Sequence, residues 1–232
     1  MRLPLKSATA ALALFAATPA LPAIVVSGTG MGTTATISSD TTANSSTTLN
    51  FSTPDDAGVL AALTLTFISA VNGDYSFDYL LENTSTIDPS RITVFGFNVD
   101  PAVFTASVGS GDQFNILAAG QVQGQNATVN FCLKDSSNST NSCTSGQLGV
   151  PFGGSASGSF VLDFGATTPE DVILSDLFVR FQGVGLDDDS FVTNPNGPEV
   201  PEVATWAMML LGIGAVGYSI RRRRKPLLSQ VA

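Results

Sequence analysis

Cys132 and Cys143 are the only cysteines in the chain, and there is no histidine. That combination closes off most familiar chemistry. Without an imidazole there is no Ser-His-Asp or Cys-His nucleophile, no His-ligated zinc, and no ordinary general base near neutral pH. Two thiols are too few for a Cys-only structural zinc site, and in an exported chain they read as one disulfide closing the polar loop CLKDSSNSTNSC. A redox or nucleophilic thiol is disfavoured, because Lys134 is the only nearby base and export would oxidise both sulfurs. Asp187, Asp188 and Asp189 are hard oxygen ligands of the kind Ca²⁺ takes, but the ligand spacing of an EF-hand is absent and a solvated acidic turn explains them more simply. Glycoside hydrolysis needs two carboxylates roughly 5–9.5 Å apart in a cleft; 19 acidic residues supply many pairs and nominate none. No catalytic residue, metal site or cofactor is therefore assigned, and the chain is expected not to be an enzyme. Arg91 and Arg180 fall inside strand patterns and are expected to pair with carboxylates in structural roles.

The elements that would have to position any site are β-strands. Tyr75, Phe77, Tyr79 and Leu81 alternate with Ser76, Asp78 and Glu82. The same period of two recurs at Leu63-Leu65-Phe67, Thr93-Phe95-Phe97-Val99, Val129-Phe131-Leu133, Phe160-Leu162-Phe164 and Leu177-Val179-Phe181. Asn72-Gly73-Asp74, Asp88-Pro89, Asp100-Pro101, Gly109-Ser110-Gly111 and Gly153-Gly154 are turn signals between these runs. No stretch of the body shows a capped period of 3.6. The pattern predicts an all-β body over residues 24–193, a β-sandwich or jelly-roll of about seven to nine strands.

Charge divides the chain sharply. Arg2 and Lys6 lie at one end and Arg221 to Lys225 at the other, leaving Arg91, Lys134 and Arg180 against 19 acidic residues between Asp40 and Glu202, a net −16. Such a field repels phosphate backbones, so nucleic acid is excluded as a partner. Only 12% of residues are charged, so Ser, Thr, Asn and Gly must solvate the surface, which suits an extracellular β-module.

The two ends read as targeting segments. Residues 1–23 have a basic start, a short apolar stretch from Ala8 to Ala17 and a small-residue exit, the three parts of a secretory signal peptide; cleavage fits after Ala20 or Ala23. Residues 194–202 form a Pro/Asn/Gly linker, and Val203 to Ile220 is an uncharged run. As a helix that run would span roughly 27 Å, close to a bilayer's hydrocarbon thickness. The basic segment 221–232 that follows, led by Arg221, Arg222, Arg223, Arg224 and Lys225, would remain cytoplasmic and leave the body outside. A plain single-pass anchor would have the same hydropathy.

Pro201-Glu202-Val203, then Trp206-Ala207, then Gly212-Ile213-Gly214 and the arginine run resemble the PEP-CTERM sorting signal in its Trp-Ala variant. Val203 stands where that signal has its second proline, and Pro198-Glu199-Val200 repeats the triplet upstream. The runs NGDYSFDYLLENTS, SRITVFGFNVDP, VNFCLKDSSNSTNSC and LSDLFVRFQ are similar to the cistern family of PEP-CTERM proteins. The resemblance implies export through the secretion translocon and transient tethering in the inner membrane. It further implies cleavage by exosortase, a membrane-embedded transpeptidase-like protease, and a mature body at the cell surface or secreted. Such a body would be a non-catalytic envelope or matrix protein, with exopolysaccharide as a further partner. The alternatives from the residues themselves are a carbohydrate- or Ca²⁺-binding secreted module and, more remotely, a secreted hydrolase.

Overall fold

The computed structural model describes residues 23–53, 58–122, 127–135, 142–144, 148–187 and 189–195. Residues 1–22 of the expected signal peptide, the expected sorting motif from Pro201 to Ala207, the uncharged run 203–220 and the basic cluster Arg221–Lys225 lie outside the described residues. Fourteen strands form among those described: β1 Val25–Ser27, β2 Thr34–Ser38, β3 Ser45–Ser52, β4 Leu60–Val71, β5 Asp74–Asn83, β6 Arg91–Asp100, β7 Thr105–Val108, β8 Ile116–Val122, β9 Thr128–Lys134, β10 Ser142–Cys143, β11 Val150–Pro151, β12 Ser155–Asp163, β13 Asp171–Val184 and β14 Asp189–Thr193. The expectation of seven to nine strands is too low: eight of these have seven or more residues, and the other six are short additions that periodicity does not register.

Two sheets result. One runs β1-β2-β13-β6-β9-β8-β10, with β11 added to β6 and β14 to β13; the other runs β3-β4-β5-β12-β7. Pairing is antiparallel throughout except for β10 on β8. The sheets face each other across one core. Tyr75, Phe77, Tyr79 and Leu81 point into it from β5, as their alternation predicts. Ring contacts knit the layers: Tyr79 to Phe95 at 5.0 Å and Phe131 to Phe160 at 5.1 Å each join one sheet to the other. Asn72 and Gly73 both take positive φ at the tip of the β4–β5 hairpin, the conformation an Asn-Gly turn favours. A Cβ on Gly73 would lie 1.9 Å from the Gly165 carbonyl oxygen, so no side chain fits there.

Strand β6 departs from simple alternation, because Ile92 through Phe97 are all buried. It lies inside the larger sheet, between β13 and β9, and both of its faces are covered. On the outer face a second cluster gathers Val94, Ala118, Val122, Val129, Cys132, Cys143 and Phe178. Val129 belongs to this outer cluster although Phe131 and Leu133 face the main core. The β8–β9 register shifts between them, and one extra residue in β9 turns Val129 to the opposite face.

The edges of the two sheets differ. β1, β7 and β10 are three, four and two residues long, whereas β3 runs eight residues in unbroken register beside β4. After β14 the chain crosses to this edge: Pro195 bridges Phe51, and its carbonyl accepts a hydrogen bond from the Gly30 amide at 2.8 Å. Asn194 Nδ2 donates to Leu177 O at 2.8 Å. The C-terminal exit is thus strapped across the side of the sandwich, between the last strand of one sheet and the edge of the other.

Candidate functional site

The cysteines sit where β9 and β10 meet the edge of the larger sheet. Cys132 and Cys143 form the expected disulfide, with Cα atoms 6.1 Å apart, and both are fully buried. Room for it comes from β6: a Cβ on Gly96, the residue opposite Cys132, would lie 2.5 Å from Cys132 Cβ and from the Phe131 carbonyl oxygen. Two charged residues follow the first cysteine into the fold. Lys134 Nζ donates to Ser142 O at 2.9 Å, and Asp135 Oδ2 accepts from the Leu148 amide at 2.6 Å and from the Gly149 amide. Burial pulls the Lys134 ammonium below its ordinary pKa, and does the same to Arg180 on the same cross-strand row of β13, β6 and β9. This arrangement is a staple. The thiols are consumed, and the neighbouring charges hold backbone.

A cleft of about 580 Å³ opens at the end of the sandwich, between the β5–β6 turn and the segment 148–152. Asp88, Pro89 and Arg91 form one wall; Leu148, Pro151 and Phe152 form the other. Leu148 is 71% exposed and Phe152 42%, an unusual display for large apolar side chains. The walls are held by one buried amide. Asn83 Nδ2 donates to Ser90 O (3.2 Å), Ser90 Oγ (3.3 Å) and Val150 O (3.2 Å), while Asn83 Oδ1 accepts from the Ser85 amide (3.2 Å). Its backbone adds bonds to Gly153 and Gly154. Although Asn83-Thr84-Ser85 has the form of a glycosylation tripeptide, this asparagine is buried and its amide is committed to the fold. Chemically the cleft offers an apolar wall, one carboxylate and one guanidinium. Its described lining supplies a single carboxylate, not the pair that glycoside hydrolysis uses.

A second, smaller cavity of about 330 Å³ lies between β7 and the β8–β9 pair, lined by Val103, Thr105, Leu117, Asn130 and Phe131 among others, with Phe104 exposed beside it. Asn130 belongs to an amide network that takes over where the β6–β9 ladder stops at Phe97 and Phe131. Its Oδ1 accepts from the Val99 amide (2.8 Å), its Nδ2 donates to Val99 O (3.0 Å), and its own amide donates to Asn98 Oδ1 (2.9 Å). Asn98 Nδ2 in turn donates to Asp176 Oδ2 at 2.8 Å. Every one of these groups serves strand pairing.

Tyr79 is the most perturbed phenol. Burial, followed by the Asp112 carboxylate, pushes its pKa well above the ordinary value of 10; the Phe114 backbone eases this only in part. Tyr75 is raised as well, chiefly by burial. A phenol whose folded pKa is raised contributes stability below pH about 10 that is lost as pH climbs through the folded value. Lys134, with its lowered pKa, acts in the opposite sense just below pH 10.5. Tyr79→Phe is expected to leave neutral-pH stability within about 1 kcal/mol, since the buried hydroxyl makes no hydrogen bond of good geometry. The variant should also lose less stability in urea melts carried above pH 10. An alkaline decline as steep as the parent's would assign that decline to other groups.

The remaining sequence-nominated residues fare differently. Asp187 and Asp189 are exposed at the β13–β14 turn, and Asp188 lies outside the described residues. Among the described residues no three His, Cys, Asp or Glu side chains gather as metal ligands. The acidic turn leads into β14 before any linker begins. Sequence reasoning missed the Asn83 hub and the exposed Leu148 and Phe152, because neither hydrogen-bond convergence nor exposure has a periodic signature. No helix among the described residues is long and apolar enough to cross a membrane. No protein-family model, no curated protein and no solved structure matches the chain.

Proposed function

We propose that the protein is a non-catalytic envelope or extracellular-matrix protein, exported behind its signal peptide and sorted through a PEP-CTERM-like tail. The observation that carries this reading is the order of three tail features: Pro201-Glu202-Val203 with Trp206-Ala207, the uncharged run 203–220, and the basic stop Arg221–Lys225. The disulfide-stapled all-β body supports it, since such bonds persist in oxidising compartments. In this reading the precursor is a helix-anchored protein with its body outside the inner membrane. An exosortase-type protease cuts near Pro201-Glu202, and the freed body passes to the surface or the medium, where exopolysaccharide is a candidate neighbour. Intact-mass and C-terminal peptide analysis of surface and medium fractions tests it. A species ending near residues 198–203, lacking Trp206 and the arginines, is expected. A product still carrying Arg221–Lys225 in the inner membrane would make the tail a permanent anchor and sink the sorting proposal.

A further inference from the structure

The cleft between the β5–β6 turn and the segment 148–152 joins two walls of different chemistry on fixed backbone. Exposed apolar surface rimmed by polar groups marks binding sites on soluble domains. Leu148 and Phe152 form such a surface, and the chain beneath each is held in place. Asp135 Oδ2 accepts from the Leu148 and Gly149 amides, and the Gly149 carbonyl accepts from Gln113 Nε2 at 2.5 Å. Gly149 takes a φ of +55°, and a Cβ there would lie 2.3 Å from the Ile92 carbonyl oxygen. Phe152 rides on a turn closed by the Gly154 amide on Pro151 O at 2.9 Å, with Gly153 at positive φ. Asn83 ties this segment to the opposite wall through Val150 O and Ser90 O. The cleft is thus preformed, and a ligand entering it has little ordering cost to offset.

We infer that this cleft binds an uncharged saccharide, whose ring lies on Leu148 and Phe152 while its hydroxyls reach Asp88 and Arg91. Each wall narrows the class. A purely apolar ligand would cover Leu148 and Phe152 but take water from a carboxylate and a guanidinium without replacing its hydrogen bonds. An anionic ligand would approach against a body of net −16. A cationic one gains from that field but meets Arg91 on the same wall as Asp88. A sugar ring carries apolar C–H faces and a hydroxyl edge on one rigid frame, and so meets both walls at once. Its hydroxyls donate to Asp88 and accept from Arg91, whose five N–H donors are enough for a protein partner and a ligand together. The volume of about 580 Å³ falls in the range of roughly 300–1,000 Å³ usual for small-molecule sites. The exopolysaccharide contact of the proposed function would fall here, yet the chemistry of the cleft is independent of the tail.

The test uses the full-length protein in a detergent without a sugar headgroup. Neutral oligosaccharides of glucose, galactose, mannose and N-acetylglucosamine are titrated by calorimetry, with an alginate oligosaccharide as the acidic control. At least one neutral oligosaccharide is expected to bind. Phe152→Ala and Asp88→Ala should each weaken it about tenfold at an unchanged melting temperature, and Phe152→Trp should bind as well as the parent. Phe104→Ala, which removes the exposed ring beside the smaller cavity, should leave binding unchanged. No binding by any neutral oligosaccharide, tighter binding of the alginate, or binding indifferent to Phe152 or to Asp88 overturns the inference. A loss confined to Phe104→Ala overturns it too, by moving the site to the smaller cavity. None of these readouts involves the tail, so failure here leaves the sorting proposal standing, and a failed sorting proposal leaves the expected binding unchanged.

Discussion

Asn83→Ala is expected to lower stability by about 3 kcal/mol, more than any other single polar substitution in the body. The residue is 2% exposed, and its one amide group reaches three acceptors, two on Ser90 in the β5–β6 turn and one on Val150 in β11. Removing it strands the Ser90 and Val150 carbonyls and the Ser85 amide in a place water reaches poorly, and each lost bond is worth about 1 kcal/mol. For a domain of this size the melting temperature should fall by roughly 6–12 °C. Asn83→Asp is the informative companion. It keeps the acceptor for Ser85 but sets a carboxylate against the oxygens of Ser90 and Val150, so it should be no better tolerated than alanine. A loss under about 1 kcal/mol for the alanine variant would mean that the two walls of the cleft are held by their backbone bonds alone.

Replacing both Cys132 and Cys143 with Ser carries a comparable loss through a different route. The bond closes a loop with a sequence separation of 11, and on the chain-entropy account closing about a dozen residues is worth roughly 3 kcal/mol through the unfolded state. The folded state loses too, because the sulfurs fill the outer cluster with Val94, Ala118 and Phe178 and each serine would bury a hydroxyl there. Urea denaturation of the double variant against the parent, with and without reductant, checks this. The parent plus reductant should approach the variant, and an unchanged midpoint for the variant would discredit the staple. Location in the cell should be the same for both, since nothing in the loop takes part in the proposed sorting.

What could be read from the chain followed the physics of alternation. Strand β5, half-buried with one face on the core, displays its period of two openly, and the Asn72-Gly73 turn announces itself by residue type. The disulfide followed from counting. β3 was illegible because only Leu49 and Phe51 in it are large and apolar, and Ser and Thr suit a loop as well as a strand. β6 departs in the opposite direction: Val94 lies on the side away from Phe95 and Phe97, yet a second cluster covers it, and Ile92 joins the main core. That cover is built by residues from Ala118 to Phe178, the last of them 84 positions from Val94, and by a register shift in β9, neither of which a local window contains. The cleft was invisible for the same reason, since Asp88, Leu148 and Phe152 come together only after the sheets assemble.

The strap at Pro195 sets a leash length. Between that anchored residue and Val203, the first residue of the uncharged run, stand only the seven residues 196–202. A fully extended chain covers at most about 3.6 Å per residue, so the leash cannot exceed roughly 29 Å. In the proposed precursor Pro195 therefore stays within roughly 29 Å of the start of the uncharged run, which keeps the body close to the bilayer. Precursors held this way share a plane, and confinement of that kind raises their encounter concentration far above that of the same bodies after release. Cutting the leash would then do more than free the protein. It would disperse the bodies from a two-dimensional film into bulk solution, so that whatever neighbours they meet are met most often while the protein is still on the membrane.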